Sequence, residues 1–111
     1  MTRQDAVNIA IRGLRSQGFR KSTNEAACLY RGPGGIKCAI GHLIPDDKYT
    51  PDLETKTADE PTVQVAAGYG YEDRWFYYHL QKCHDFAYGP ADMATRLLRF
   101  CKHNDLTFPE E

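Results

Sequence analysis

Between Arg3 and Arg15 the apolar residues Val7, Ala10, Ile11 and Leu14 recur at helical spacing, and polar side chains fill the other face. That period predicts an amphipathic N-terminal helix. Thr2, with Asp5 three positions on, supplies an Asp variant of the capping box at its start, and Gly18 is the expected left-handed stop. After a polar connection, KSTNEA, residues 27–31 are short and β-prone and lead into Gly32-Pro33-Gly34-Gly35. Proline second and glycine third of four is the signature of a type II turn, so a small antiparallel β-hairpin is expected at about residues 27–38. If Gly32 pairs with Gly35, Cys28 faces Ala39 and Cys38 faces Leu29, which puts the two sulfurs on opposite faces. One bulged residue instead brings Cys28 opposite Cys38, and the residues leave that choice open.

The next segment, CAIGHLI, reads as a short helix or a strand continuation, with the helix favoured by the i,i+4 pairs Ala39/Leu43 and Ile40/Ile44 and by the stop at Pro45. Residues 45–61 form a polar, acidic loop punctuated by prolines. A short helix is expected over 62–68, ended by Gly68. A stronger one follows from Glu72 to about Ala87, with a stripe of Phe76, Leu80, Cys83 and Ala87 and with Trp75 and His79 on its flank. Pro90 is placed to open a last helix whose buried face is Ala94, Leu97, Leu98 and Cys101, with Asn104 as its C-cap. Together these elements predict one compact domain over residues 1–111. Its expected class is α+β, an N-terminal helix and a small hairpin with two or three C-terminal helices packed on it.

Composition narrows the function classes. The 111 residues are 41% hydrophobic and 26% charged with a net charge of -1, which is ordinary for a globular protein. No stretch approaches a membrane span, and the polar breaks in MTRQDAVNIAIRGLRSQG do not match a secretory signal, so a cytoplasmic protein is expected. The four cysteines, Cys28, Cys38, Cys83 and Cys101, are too few and too widely spaced for a disulfide scaffold and read as free thiols. The near-neutral total hides an asymmetry. Residues 1–37 carry seven Lys/Arg against two acids, whereas residues 46–60 carry six acids against two lysines, which predicts a basic and an acidic side.

The segment CLYRGPGGIKCAIGHLIPDDKY, with LQKCHD and RLLRFCKHNDLTFP further on, resembles a group of small uncharacterised proteins encoded in bacteriophages and prophages. The likeness covers most of the chain and is most specific at RGPGGIKCAIGHLIPD. It brings no assigned activity or catalytic residue. It implies a setting in the host bacterial cytosol, where small accessory proteins bind and disable host or defence machinery. The aromatic run GYGYEDRWFYYH departs from the more aliphatic helix of that group, which marks a surface particular to this chain.

Several constellations are candidates for chemistry. If both segments are helical, Cys38/His42 and His79/Cys83 are i,i+4 pairs, and facing each other they would form the tetrahedral Cys₂His₂ set that zinc prefers, with His84, Cys101 and His103 as substitutes. Lone Cys and His residues in apolar stripes are more often core, and no CxxC or HxxxH pair is present. Cys38 at a helix start with His42 one turn on is the loose outline of a cysteine nucleophile, but the two side chains lie beside each other rather than across a cleft. His84-Asp85 lacks the distant ligands of a phosphohydrolase, and the proline in the glycine turn removes an amide that a phosphate cradle would need. Arg3, Arg12, Arg15, Arg20, Lys21, Arg31 and Lys37 match no nucleic-acid reading module, so direct nucleic-acid binding is not expected.

The aromatic cluster is the stronger lead. Tyr69, Tyr71, Trp75, Phe76, Tyr77 and Tyr78 cannot all point inward, because neighbouring helical positions are rotated by about 100°. Tyr and Trp are favoured interface anchors. The expectation is a non-enzymatic protein, monomer or homodimer, that acts by stoichiometric binding to a bacterial host protein. Its expected contacts are Tyr71, Trp75, Tyr77 and Tyr78 beside an acidic rim of Asp46, Asp47, Asp52, Glu54, Asp59 and Glu60. The alternative is a small zinc-binding protein or cysteine-based enzyme using Cys38, His42, His79 and Cys83.

Overall fold

The computed structural model describes residues 1–24 and 26–111; Glu25, in the KSTNEA connection, lies outside them. Helix α1, Arg3–Ser16, begins on the expected capping box. Thr2 accepts from the Asp5 amide, and the Asp5 carboxylate accepts from the Thr2 amide, both at 3.0 Å. Ala6, Val7, Ala10, Ile11 and Leu14 are its buried face. Helix α2 (Pro61–Ala67) ends at Gly68, α3 spans Arg74–Asp85, and α4 runs over Pro90–His103 with proline in its first turn and Asn104 as its C-cap.

The expected α+β class is corrected by the structure, which is helical. Among the described residues there is no β-strand, only the isolated bridges Thr23 to Cys28 and Arg31 to Lys37. The turn itself forms, with Gly34 at φ 76° and ψ 17° as the third position requires. Gly35 is left-handed as well, at φ 79°, so the turn gains a residue and Gly32 N–H bonds the Ile36 carbonyl at 2.8 Å. Beyond that bridge, side chains take the backbone donors that a hairpin would have paired. The Glu54 carboxylate accepts from the amides of Tyr30 (2.8 Å) and Arg31 (3.1 Å). Gln17 Oε1 accepts from Lys37 N–H (3.1 Å), and Gln81 Oε1 accepts from Ile40 N–H (2.9 Å). Leu29 N–H turns back to the Ser22 carbonyl (2.8 Å), which pairs Cys28 with Thr23. Cys28 and Cys38 therefore meet in neither of the registers that a hairpin would allow.

Residues 40–43 form a short 3₁₀ helix, as the favoured reading of this segment has it, and it is the hub of the fold, contacted by α1, α2 and α3. Its seating is close. A Cβ on Gly41 would stand 2.1 Å from the Tyr30 carbonyl oxygen, and one on Gly13 of α1 would stand 2.4 Å from the His42 ring. Helix α3 packs on α4. Of the stripe that the apolar pattern predicts for α3, Phe76, Leu80 and Ala87 are buried and Cys83 is half-buried, and the buried face widens to take in Tyr77, Gln81 and His84. In α4 the buried residues are Met93, Leu97 and Cys101, whereas Leu98 is exposed. The C-terminal segment runs along α1: Gln4 exchanges two 2.8 Å hydrogen bonds with the Thr107 backbone, and Arg15 donates to the Pro109 carbonyl. Among the described residues no helix is long and apolar enough to cross a membrane.

Candidate functional site: the α3 ridge and its two clefts

The last turn of α3 places a polar network under the protein surface. Gln81 Nε2 donates to Asp85 Oδ1 at 2.8 Å, and the same oxygen lies 2.8 Å from His84 Nδ1. On the far side of the imidazole, Ser22 N–H points at His84 Nε2 at 2.8 Å. A backbone N–H can only donate, so Nε2 is the acceptor and the proton sits on Nδ1, facing the carboxylate. Burial opposes ionisation of Asp85, but the donors His84 and Gln81, with Lys82 nearby, outweigh it and hold the carboxyl below its ordinary range.

Cys28 completes this cluster. Its sulfur and ligand atoms of His84 and Asp85 all lie within 4.8 Å of one another, an association that sequence spacing does not reveal. Neither of the two obvious chemistries suits it. Burial and the Asp85 carboxylate raise the thiol pKa against the smaller pull of Lys21 and Lys82, so the reactive thiolate is disfavoured. Both imidazole nitrogens are already committed, leaving no lone pair to receive the thiol proton. A metal held by either nitrogen would cost the ring its bond to Ser22 N–H, a donor on a residue that is 1% exposed. The donor set therefore fits a resident metal poorly. What the network does is tie Lys21, Ser22 and Cys28 to α3, with Lys21 Nζ adding a 2.8 Å bond to the Asp85 carbonyl.

The four residues of the alternative zinc set, Cys38, His42, His79 and Cys83, do not converge; among the described residues only Cys28, His84 and Asp85 cluster. Cys38 is fully buried and its sulfur accepts from Gly41 N–H at 3.3 Å. His42 packs against α1, where its Nε2 donates to Gln17 Oε1 at 3.0 Å; that oxygen is identified by the Lys37 N–H it also accepts. Burial, then Lys37 and His84, push His42 down to about 4. His79 is exposed on α3, and Cys83 faces the gap to α4, its thiol pushed up to about 12 by burial despite Arg96 nearby.

The aromatic run divides as helical rotation demands. Tyr69 and Tyr77 stack in the core with ring centroids 3.8 Å apart, and Phe76 is buried beside them. Tyr77, expected as a contact, is thus a core residue, 1% exposed. Tyr71 and Trp75 are outside, 46% and 50% exposed. Two aromatics missed by the sequence reading join them: Phe86 at 60% and Tyr88 at 92% exposure. Tyr78, Lys82 and Phe86, spaced by four, form a ridge along α3, with the ammonium 4.9 Å from one ring centroid and 5.4 Å from the other. That i,i+4 spacing was the available signal for Phe86.

A cleft lies on each side of the ridge. One, of about 410 Å³, separates it from residues 54–58 and is lined by Tyr30, Glu54, Lys56 and Asp85 among others. The other, of about 610 Å³, opens between α3 and α4 over Cys83 and Phe100. Its rim is His79, Lys82, Arg96, Arg99 and His103, with no carboxylate among its described lining residues.

The acidic segment is largely engaged within the chain. Glu54 accepts from Tyr30, Arg31 and the Tyr49 hydroxyl, Asp46 pairs with Arg31 at 2.7 Å, and Asp59 and Glu60 both accept from Thr57. Asp47 and Asp52 are exposed. The cleft rim on the α4 side is basic, while on the other side Glu54 of the expected acidic rim lines the cleft together with Tyr78.

No family model, curated protein or solved structure matches this chain.

Proposed function

We propose that this chain is a bacteriophage or prophage accessory protein that acts by stoichiometric binding to a bacterial protein in the host cytosol, with α3 as the binding face. The observation that carries the reading is the exposure of Trp75, Phe86 and Tyr88 around one helix, beside two clefts that share the Tyr78-Lys82-Phe86 ridge. Large rigid aromatics left in water at the edge of concave surfaces are the composition of an interface core, since they bury area at low entropic cost. The committed state of His84 and the raised Cys28 thiol favour binding over nucleophilic catalysis. The resemblance of RGPGGIKCAIGHLIPD to phage and prophage proteins supports a bacterial partner, a defence component that binding inhibits being the reading most in keeping with that setting.

The test is capture from bacterial lysate with the wild-type chain and with Trp75→Ala/Phe86→Ala. Because both side chains are at least half exposed, the double variant should keep its melting temperature and lose the captured protein. Val65→Ser, at a residue 70% exposed on α2, should retain it. Equal recovery by all three would place the interface elsewhere.

A further inference from the structure

We infer that the cleft between α3 and α4 receives an acidic peptide segment of the partner, seating an apolar side chain on its floor. This rests on the binding face proposed above and names the chemistry of what docks there. The floor is apolar, built from Cys83 and Phe100, and at about 610 Å³ it has room for one or two large side chains. Around it stand Lys82, Arg96 and Arg99, with His79 and His103 completing the rim. An apolar floor inside a rim of one sign calls for an apolar anchor flanked by the opposite sign. Arg99 carries the most available charge, since it is exposed and makes no ion pair among the described residues, whereas Arg96 is held by Asp92 at 2.8 Å and Lys82 pairs with Asp85 at 3.6 Å.

Single-stranded nucleic acid also combines stacking surfaces with negative charge, but the surroundings favour a peptide. A polyanion needs a basic track extending past one cleft. Here the track stops at the ridge, because the cleft on its other side contains Glu54 and Asp85. Arg12 and Arg15 are directed at the C-terminal segment, where they donate to the backbone carbonyls of Glu111 and Pro109, and neither lines this cleft.

The experiment is an NMR titration of the full isotope-labelled chain with three probes. One is an end-blocked hexapeptide with a central leucine-phenylalanine pair between two glutamates and two aspartates. The second replaces its acids by lysines, and the third is a ten-nucleotide oligothymidylate. The acidic peptide should produce saturable amide shifts confined to residues 78–86 and 96–103, and the lysine peptide should produce none. Arg99→Glu should weaken the acidic peptide by about tenfold or more, a loss of roughly 1.4 kcal/mol, while Arg99→Lys retains binding. Stronger shifts of the same residues by oligothymidylate would make the cleft a nucleic-acid site and overturn the inference. So would an absence of saturation at millimolar acidic peptide, shifts elsewhere, or indifference to Arg99→Glu. If Trp75→Ala/Phe86→Ala still abolishes partner capture in that case, the binding face stands and only the chemistry assigned to its occupant falls.

Discussion

Gln81 uses both ends of its amide on partners far apart in sequence, the Ile40 N–H on one side and the Asp85 carboxylate on the other. Replacing it by leucine keeps the volume and orphans a buried amide hydrogen, so Gln81→Leu should lower unfolding free energy by about 3 kcal/mol, measured by urea denaturation. His42 contributes a pH dependence of definite sign. Its folded pKa, near 4, lies below the ordinary 6.5, so the unfolded chain takes up the proton first as the solution is acidified. Stability contributed by the neutral ring is present above pH 6.5 and lost as pH falls toward 4. Asp85, also depressed, adds a further loss below the ordinary carboxyl value of 3.8. Urea midpoints taken from pH 7 to pH 4.5 should fall steadily, and the slope should be shallower in His42→Gln. None of these roles was legible in the sequence. A glutamine that caps a backbone amide 41 positions away leaves no local pattern, and neither does a histidine laid flat against Gly13.

The helices were legible as elements because their signals are local: capping residues, apolar period and proline or glycine ends. The hairpin was not, and Glu54, Gln17 and Gln81 show why. Its turn residues behave as turn chemistry requires, yet whether strands form depends on what the flanking amides find, and here they find side chains from three distant segments. The same irregularity lets Tyr30 and Gly41 approach backbone to backbone. Gly41→Ala would drive a methyl to 2.1 Å from the Tyr30 carbonyl oxygen, between two buried residues. The expected outcome is a destabilisation of about 3 kcal/mol or more, seen as a lowered melting temperature. In α3 the apolar residues named a stripe of Phe76, Leu80, Cys83 and Ala87, of which all but the half-buried Cys83 are buried, and Gln81 and His84 turn inward beside it. Buried polar side chains with distant partners widened the buried face in a way that hydrophobicity alone does not encode.

At the scale of the molecule, part of the charge asymmetry along the chain is met by contacts within it. Arg3 pairs with Asp73, Arg31 with Asp46, and Arg12 and Arg15 hold the C-terminal segment. The α3 ridge and its basic cleft stay in solution; Trp75 and Tyr78 of this face were legible in the sequence, and Phe86, Tyr88 and Arg99 were not. Cys38 and Cys101 are buried in the core, and the one metal-ligand cluster among the described residues, Cys28 with His84 and Asp85, is closed by its own hydrogen bonds. Native mass spectrometry should accordingly show the mass of the bare chain, and chelator should leave the melting temperature unchanged; a bound zinc that chelator removes with loss of stability would contradict this account of the network. The central claim is that α3 is the face through which the chain binds. Hydrogen exchange on the captured complex tests it most directly: the account predicts added protection over residues 75–88 and 96–103, with the exposed side of α1 and residues 46–53 unchanged. Protection confined to α1 or to residues 46–53 would contradict it.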